Sequence, residues 1–246
     1  MNKKNFYYDI GTPQFFKQKF LNSISFIVIC VCISLFLLMR IVEILQIISR
    51  DEIIAFLGLS YYGIVKYLWF HQFVTSPFLH ANIFHLLFNM LTLWFLGPSI
   101  ENKLNKFGYI ALSFISALFA SVGFLIVNWG TQHIVVGYSG VIFGILVAQA
   151  MFFPEQKIII LGFFPMKMKY AVLLFAAVEF YLTVSPGDNV VSHISHLFGA
   201  VGAFLYLKIS QKFLKHHQLK RKIVTLPKGL DATDKIRIKH KIPKKL

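Results

Sequence analysis

The stretch HANIFHLLFNM, residues 80 to 90, carries His80, His85 and Asn89 inside an otherwise apolar run. Two further polar clusters interrupt later apolar runs: Ser139 in GYSG, and His193 and His196 in SHISHLFG. Polar or ionisable groups in such surroundings are costly and mark chemistry by default. A serine beside a histidine is the minimum machinery for nucleophilic catalysis: the imidazole takes the hydroxyl proton and then protonates the leaving amine. His85 and Asn89 are spaced i, i+4 and project from one helical face, where two donors can hold a developing oxyanion. His80 lies off that face, near the helix mouth, and is assigned to supporting hydrogen bonds. No Asp or Glu is expected in the layer, so the reading is a Ser–His dyad without a third carboxylate. A four-histidine metal site, built from His80, His85, His193 and His196, is disfavoured because there is no H-E-x-x-H and no carboxylate beside the cluster.

These residues must be positioned by membrane-spanning elements. The chain has 246 residues, 57% of them hydrophobic, and a mean hydropathy of +0.66. Its apolar residues fall in blocks near twenty residues long, which is the length needed to cross a bilayer. The blocks predict six helices at about 22 to 48, 83 to 100, 105 to 128, 134 to 153, 168 to 185 and 190 to 209. On these bounds Ser139 and His196 each lie five or six residues below a helix start, roughly 8 to 9 Å down. They meet at one depth. Gly137 and Gly140 flank the serine, and Gly199 lies one turn after His196, which permits close backbone approach. The only cysteines, Cys30 and Cys32, imply neither a disulfide framework nor a metal cage.

Charge gives the orientation. Lys and Arg occur in the N-terminal segment, at Lys103 and Lys106, at Lys157, Lys167 and Lys169, and in the C-terminal tail, so these segments read as cytoplasmic. The loops NWGTQH and SPGDN carry neither residue, and the segment 49 to 82 holds only Arg50 and Lys66. Both termini are then cytoplasmic, and the long first loop lies in the outer interface. Of 25 Lys and Arg, 12 lie after Ser210, opposed only by Asp231 and Asp234. Such a tail suits anionic lipid headgroups at the membrane surface rather than nucleic acid. The organisation expected is a cytoplasmic segment 1–21, a six-helix core 22–209 and a basic cytoplasmic tail 210–246. No internal repeat suggests a transporter.

The motifs together resemble those of the rhomboid intramembrane serine proteases. FLHANIFHLLFNMLTLWFLGPSIE is similar to the family's second-helix signature, with His80, His85, Asn89 and a following Glu101. GYSG is similar to its G-x-S-G, and HLFG to its H-x-x-G. The resemblance covers about residues 22 to 209. It implies an all-α membrane protein, a six-transmembrane-helix bundle, that cleaves transmembrane segments of membrane-protein substrates within the lipid bilayer without metal or cofactor. Ser139 would be nucleophile and His196 base. His85, Asn89 and the Ser139 backbone N–H would form the oxyanion site. His193 is a rival base but has His196, not glycine, three residues on. Two departures stand out: His71 and Gln72 replace the Trp-Arg common in the first loop, and Phe143 replaces a tyrosine one turn after the serine. Apart from the resemblance, the Lys, Ile and Phe bias of the sequence suggests a bacterial genome, and with the apolar spans a multi-pass protein of a bacterial inner membrane is expected. The competing reading is a catalytically silent relative that binds membrane proteins without cutting them.

Overall fold

The computed structural model describes residues 20–160, 163–184 and 190–224, with side chains omitted for 190–192 and 212–224. The described residues are mostly helical. The expected N-terminal segment, apart from residues 20 and 21, and the last part of the basic tail, 225–246, lie outside them. The chain divides into two compact units, residues 1–206 and 207–246.

The principal helices are α1 (Ile24–Ile44), α5 (Ile83–Val127), α6 (Ser139–Phe152), α7 (Met168–Val184) and α8 (Val190–Val224). Helices α1 and α5 are each long and apolar enough to cross a membrane. At 1.5 Å per residue α5 would extend about 67 Å if straight, twice the roughly 30 Å hydrocarbon thickness. It is broken at Asn105, whose φ of 63° is left-handed. Asn105 Oδ1 accepts the Gly108 N–H at 3.1 Å, the bond of an N-cap, so a second helical half begins there. This break falls at the start of the third expected span.

The first half of α5 has two unlike faces. Phe84, Phe88, Leu91 and Phe95 are exposed, whereas Leu86, Asn89, Met90 and Leu93 are buried. Large apolar groups facing outward, with the polar residue inside, are the arrangement of a helix that meets lipid.

The first loop is built rather than extended. It contains α2 (Arg50–Leu57), β1 (Leu59–Ser60), α3 (Tyr61–Val65), α4 (Gln72–Thr75) and a 3-10 turn (Ser76–Phe78). Its organiser is Gln72, which is fully buried. The Gln72 Oε1 accepts the Ser60 N–H at 3.1 Å, and Nε2 donates to the carbonyls of Ala55 and Phe56 at 3.2 and 3.1 Å. Thr75 Oγ1 donates to the Leu57 carbonyl at 2.6 Å and the Gly58 N–H to that of Ile54 at 2.8 Å, so the last four carbonyls of α2 are all satisfied, three of them by side chains. Gly63 lies directly over the Gln72 amide, where a Cβ would collide with it.

Two strand pairs complete the fold. β1 pairs antiparallel with β2 (Ile134–Val135), Leu59 opposite Val135 and Ser60 opposite Ile134. β3 (Lys157–Ile160) pairs antiparallel with β4 (Phe164–Lys167), which leads into α7.

Candidate active site

The β1–β2 pair corrects one expectation. The fourth helix starts at Ser139 and not near 134, so the serine is the first helical residue rather than five residues below the start. The chain reaches Ser139 through strand β2 and a turn at Gly137, whose φ of +118° excludes a side chain without strain. The Gly137 N–H donates to the Ser76 carbonyl at 2.9 Å. The first loop thereby fixes the residue two before the serine. Tyr138, at the N-cap, supplies no side-chain cap. The N–H dipoles of the first turn of α6 are not consumed by a capping side chain and favour negative charge beside Ser139.

Close backbone packing brings α8 onto α6. A Cβ on Gly199 would collide with the Gly140 carbonyl, and one on Gly140 would lie 2.6 Å from the Ala120 Cβ. With side chains absent, His196 reaches the serine: its Nε2 lies 2.8 Å from Ser139 Oγ. The Phe143 ring, one turn along α6, stacks on the imidazole at 4.7 Å between centroids and 7° between planes. The contact uses the ring face alone and needs no tyrosine hydroxyl.

A second expectation is overturned on the other side of His196. Glu179, in α7, places Oε2 3.0 Å from His196 Nδ1 and 2.7 Å from His193 Nδ1. A carboxylate therefore does sit in the layer, and the absence of a third group on which the dyad reading relied does not hold. His193 reaches Glu179 and makes no bond to Ser139 among the described residues. The side chains of His196 and Glu179 are 16% and 13% exposed. The signal for Glu179 was present in the sequence, because it is the single charged residue in AVLLFAAVEFYLTV. The rule that singled out the histidines applies to it equally.

The residues of the opening stretch gather on the remaining side. Asn82 caps α5 by accepting the His85 N–H at 2.8 Å. The His85 ring packs on Gly137, where an added Cβ would lie 2.6 Å from its Nε2. Asn89 Nδ2 lies 3.1 Å from His80 Nε2, and the His80 and His85 rings meet edge to face at 5.1 Å. His80 is 1% exposed, and burial lowers its pKa to about 4, His85 acting in the same sense. Its Nε2 then accepts from the Asn89 amide and the proton sits on Nδ1, which has no well-formed partner. One Asn89 N–H is thus held by His80. Behind the serine lies a cavity of about 30 Å³, lined by small residues that include Ser76, Ala120, Gly140 and Ser195. That volume suits one water or a very small side chain.

Glu179, His193 and His196 also present three ligand atoms within 4.8 Å of one another, a set that suits a divalent transition metal. In this structure the same atoms satisfy each other, and the second nitrogen of His196 is committed to Ser139. Metal chemistry at the serine would need that network rebuilt.

The Rhomboid domain profile matches residues 67–212, more than half of the chain, which therefore belongs to the rhomboid family. It is 31% identical over 153 residues to Rhomboid-like protein 11, chloroplastic, of Arabidopsis thaliana, covering 58% of this chain and 53% of that protein. The rhomboid protein YdcA of Bacillus subtilis (strain 168) is 27% identical over 143 residues, covering 58% of this chain and 68% of that one. Rhomboid protease GlpG of Yersinia enterocolitica is 30% identical over 122 residues, or 48% of this chain and 39% of that protein. The chain thus spans about half the length of the Arabidopsis relative and less of the Yersinia one. The family is membrane-embedded and of a protease type, in keeping with the two long apolar helices.

Proposed function

We propose that this protein is an intramembrane serine endopeptidase that hydrolyses peptide bonds in or near transmembrane helices of other membrane proteins. The observation that carries the reading is the 2.8 Å approach of His196 Nε2 to Ser139 Oγ at the uncapped start of α6. Ser139 Oγ attacks the scissile carbonyl carbon as its proton passes to His196 Nε2. The oxygen–carbon bond forms, and the carbonyl electron pair moves onto oxygen. The resulting oxyanion is met by the Ser139 N–H, the second N–H of Asn89 and the ring of His85. His196 then donates the proton to the leaving nitrogen, the carbon–nitrogen bond breaks, and water repeats the sequence on the acyl-enzyme. The nearby 30 Å³ cavity suits a small residue beside the cut bond or the hydrolytic water.

Six membrane crossings with both termini cytoplasmic remain the arrangement that the Lys and Arg distribution supports, in a bacterial inner membrane. The basic tail then faces anionic headgroups. Neither nucleic acid nor a cofactor enters this reading. The test is incubation of the purified protein with a panel of single-span substrates, followed by mass spectrometry of fragments. Cleavage by the wild type, unaffected by EDTA and lost in Ser139→Ala, is expected. Cleavage that persists in Ser139→Ala and stops with EDTA would replace this reading with a metal enzyme. Binding of substrates with no cleavage would make the protein a silent relative.

A further inference from the structure

We infer that Glu179 is a positioning residue that makes the site a serine–histidine–glutamate relay, with His193 holding the glutamate; this rests on the proposed serine protease reading. The chain of contacts is continuous. Ser139 Oγ meets His196 Nε2, His196 Nδ1 meets Glu179 Oε2, and the same oxygen meets His193 Nδ1.

The geometry fixes a tautomer. A carboxylate is acceptor only, so the nitrogen facing it carries the proton. With Nδ1 protonated, neutral His196 has its lone pair on Nε2, pointed at the serine hydroxyl. That is the form a general base needs. Without Glu179 the proton is free to sit on Nε2, where the ring donates to the serine and cannot accept from it. The carboxylate acts a second time during the reaction. When Nε2 takes the serine proton, the ring becomes an imidazolium, and an anion 3.0 Å from Nδ1 in a site largely shielded from water stabilises it. No proton moves to Glu179.

His193 extends the logic by one residue. Glu179 has free rotations within an apolar helix, and a hydrogen bond from a second imidazole fixes one of its oxygens where His196 needs it. The groups facing His196 are Ser139 and Phe143 of α6, Glu179 of α7, His193 of its own helix, and His85 of α5, which interacts with it electrostatically. Glu179 is the only anion among them. Among the described residues, this carboxylate is thus the countercharge that the reacting imidazole meets in an apolar layer.

The experiment measures how fast a fluorophosphonate probe acylates Ser139 in the full-length protein in detergent. In that step the serine oxygen–phosphorus bond forms, the phosphorus–fluorine bond breaks, the hydroxyl proton passes to His196 and fluoride leaves. Labelling of the wild type but not of Ser139→Ala secures the serine protease reading on its own; absence of wild-type labelling overturns that reading, and the inference with it. Given labelling, Glu179→Gln, which keeps shape and removes charge, should slow acylation roughly 10- to 1,000-fold, short of the about 10,000-fold found for a fully buried triad acid. Rates are scaled to the folded fraction from melting curves, and the Tm should stay near that of the wild type. His193→Ala should slow the reaction less, and the Glu179→Gln, His193→Ala double variant should be no slower than Glu179→Gln, because both act through one carboxylate. Wild-type rates in folded Glu179→Gln would overturn the inference. Additive losses in the double variant would remove His193 from the relay.

Discussion

Two carboxylates lie inside the protein among the described residues, and their partners are of opposite kinds. Glu101, 7% exposed in α5, accepts from the backbone N–H groups of Ile24 at 3.0 Å and Ser25 at 3.3 Å. It neutralises the positive end of α1, while Ser25 Oγ, 3.0 Å from the Tyr109 hydroxyl, extends the network. Gly97 admits this packing, since a Cβ there would strike Ser25. Glu179 is bound, among the described residues, to two imidazoles. A carboxylate tied to main chain can only hold structure. One tied to rings that exchange protons is connected to the reaction. Burial alone does not distinguish the two roles; the chemistry of the partners does.

The largest effect expected comes from Ser139→Ala, which should reduce cleavage by at least about a thousandfold with an unchanged Tm, as the nucleophile is lost and packing is hardly altered. A fragment-releasing Ser139→Ala variant would place the chemistry elsewhere. Next, Asn89→Ala should lower kcat roughly 100- to 1,000-fold with little change in KM, because an oxyanion donor acts mainly in the transition state. A destabilised but fully active Asn89→Ala protein would assign the residue to packing with His80. Glu101→Ala is the counter-test, leaving buried N–H groups unpaired at a loss of roughly 2 to 4 kcal/mol. Its Tm should fall by several degrees while kcat of the folded fraction stays near normal, and a selective fall in kcat would erase the contrast with Glu179.

The smallest effect belongs to a third carboxylate, Glu155, on the loop before β3. Hydrogen bonds from Lys167 and Lys169 lower its pKa from 4.5 to about 2. A depressed carboxylate contributes stability above pH 4.5 that is lost as pH falls toward about 2. Glu155 is fully exposed, so Glu155→Gln should change the Tm at pH 7 by about a degree or less. That difference should shrink as the pH is lowered through this window. A large shift at neutral pH would mean that the hairpin is held by charge.

Much of the site was legible because membrane burial makes polar residues conspicuous. His80, His85, Asn89, Ser139 and His196 all announced themselves against an apolar background, and the structure brings them to one place. Glu179 is not legible from the motifs, because no carboxylate stands beside them in the sequence. Its partners lie 14 and 17 residues away in the next helix, a relation that spacing does not express. Composition also located the long helices well. It failed at residues 134 to 138, where apolar Ile134, Val135 and Val136 read as helix. These residues are β-branched, the partner strand Leu59–Ser60 is remote in sequence, and Gly137 ends any helix there. The polar cluster around Gln72 was likewise invisible, since it depends on which carbonyls α2 leaves open.

The Gly199–Gly140 contact has a mechanical consequence. Where helices meet through side chains, rotamer changes let the gap between them widen or narrow in small steps. Here main chain rests against main chain, and no adjustable part lies between. The two jaws of the tool are therefore set at a fixed gauge, and accommodation of differently shaped workpieces must come from the parts that surround them.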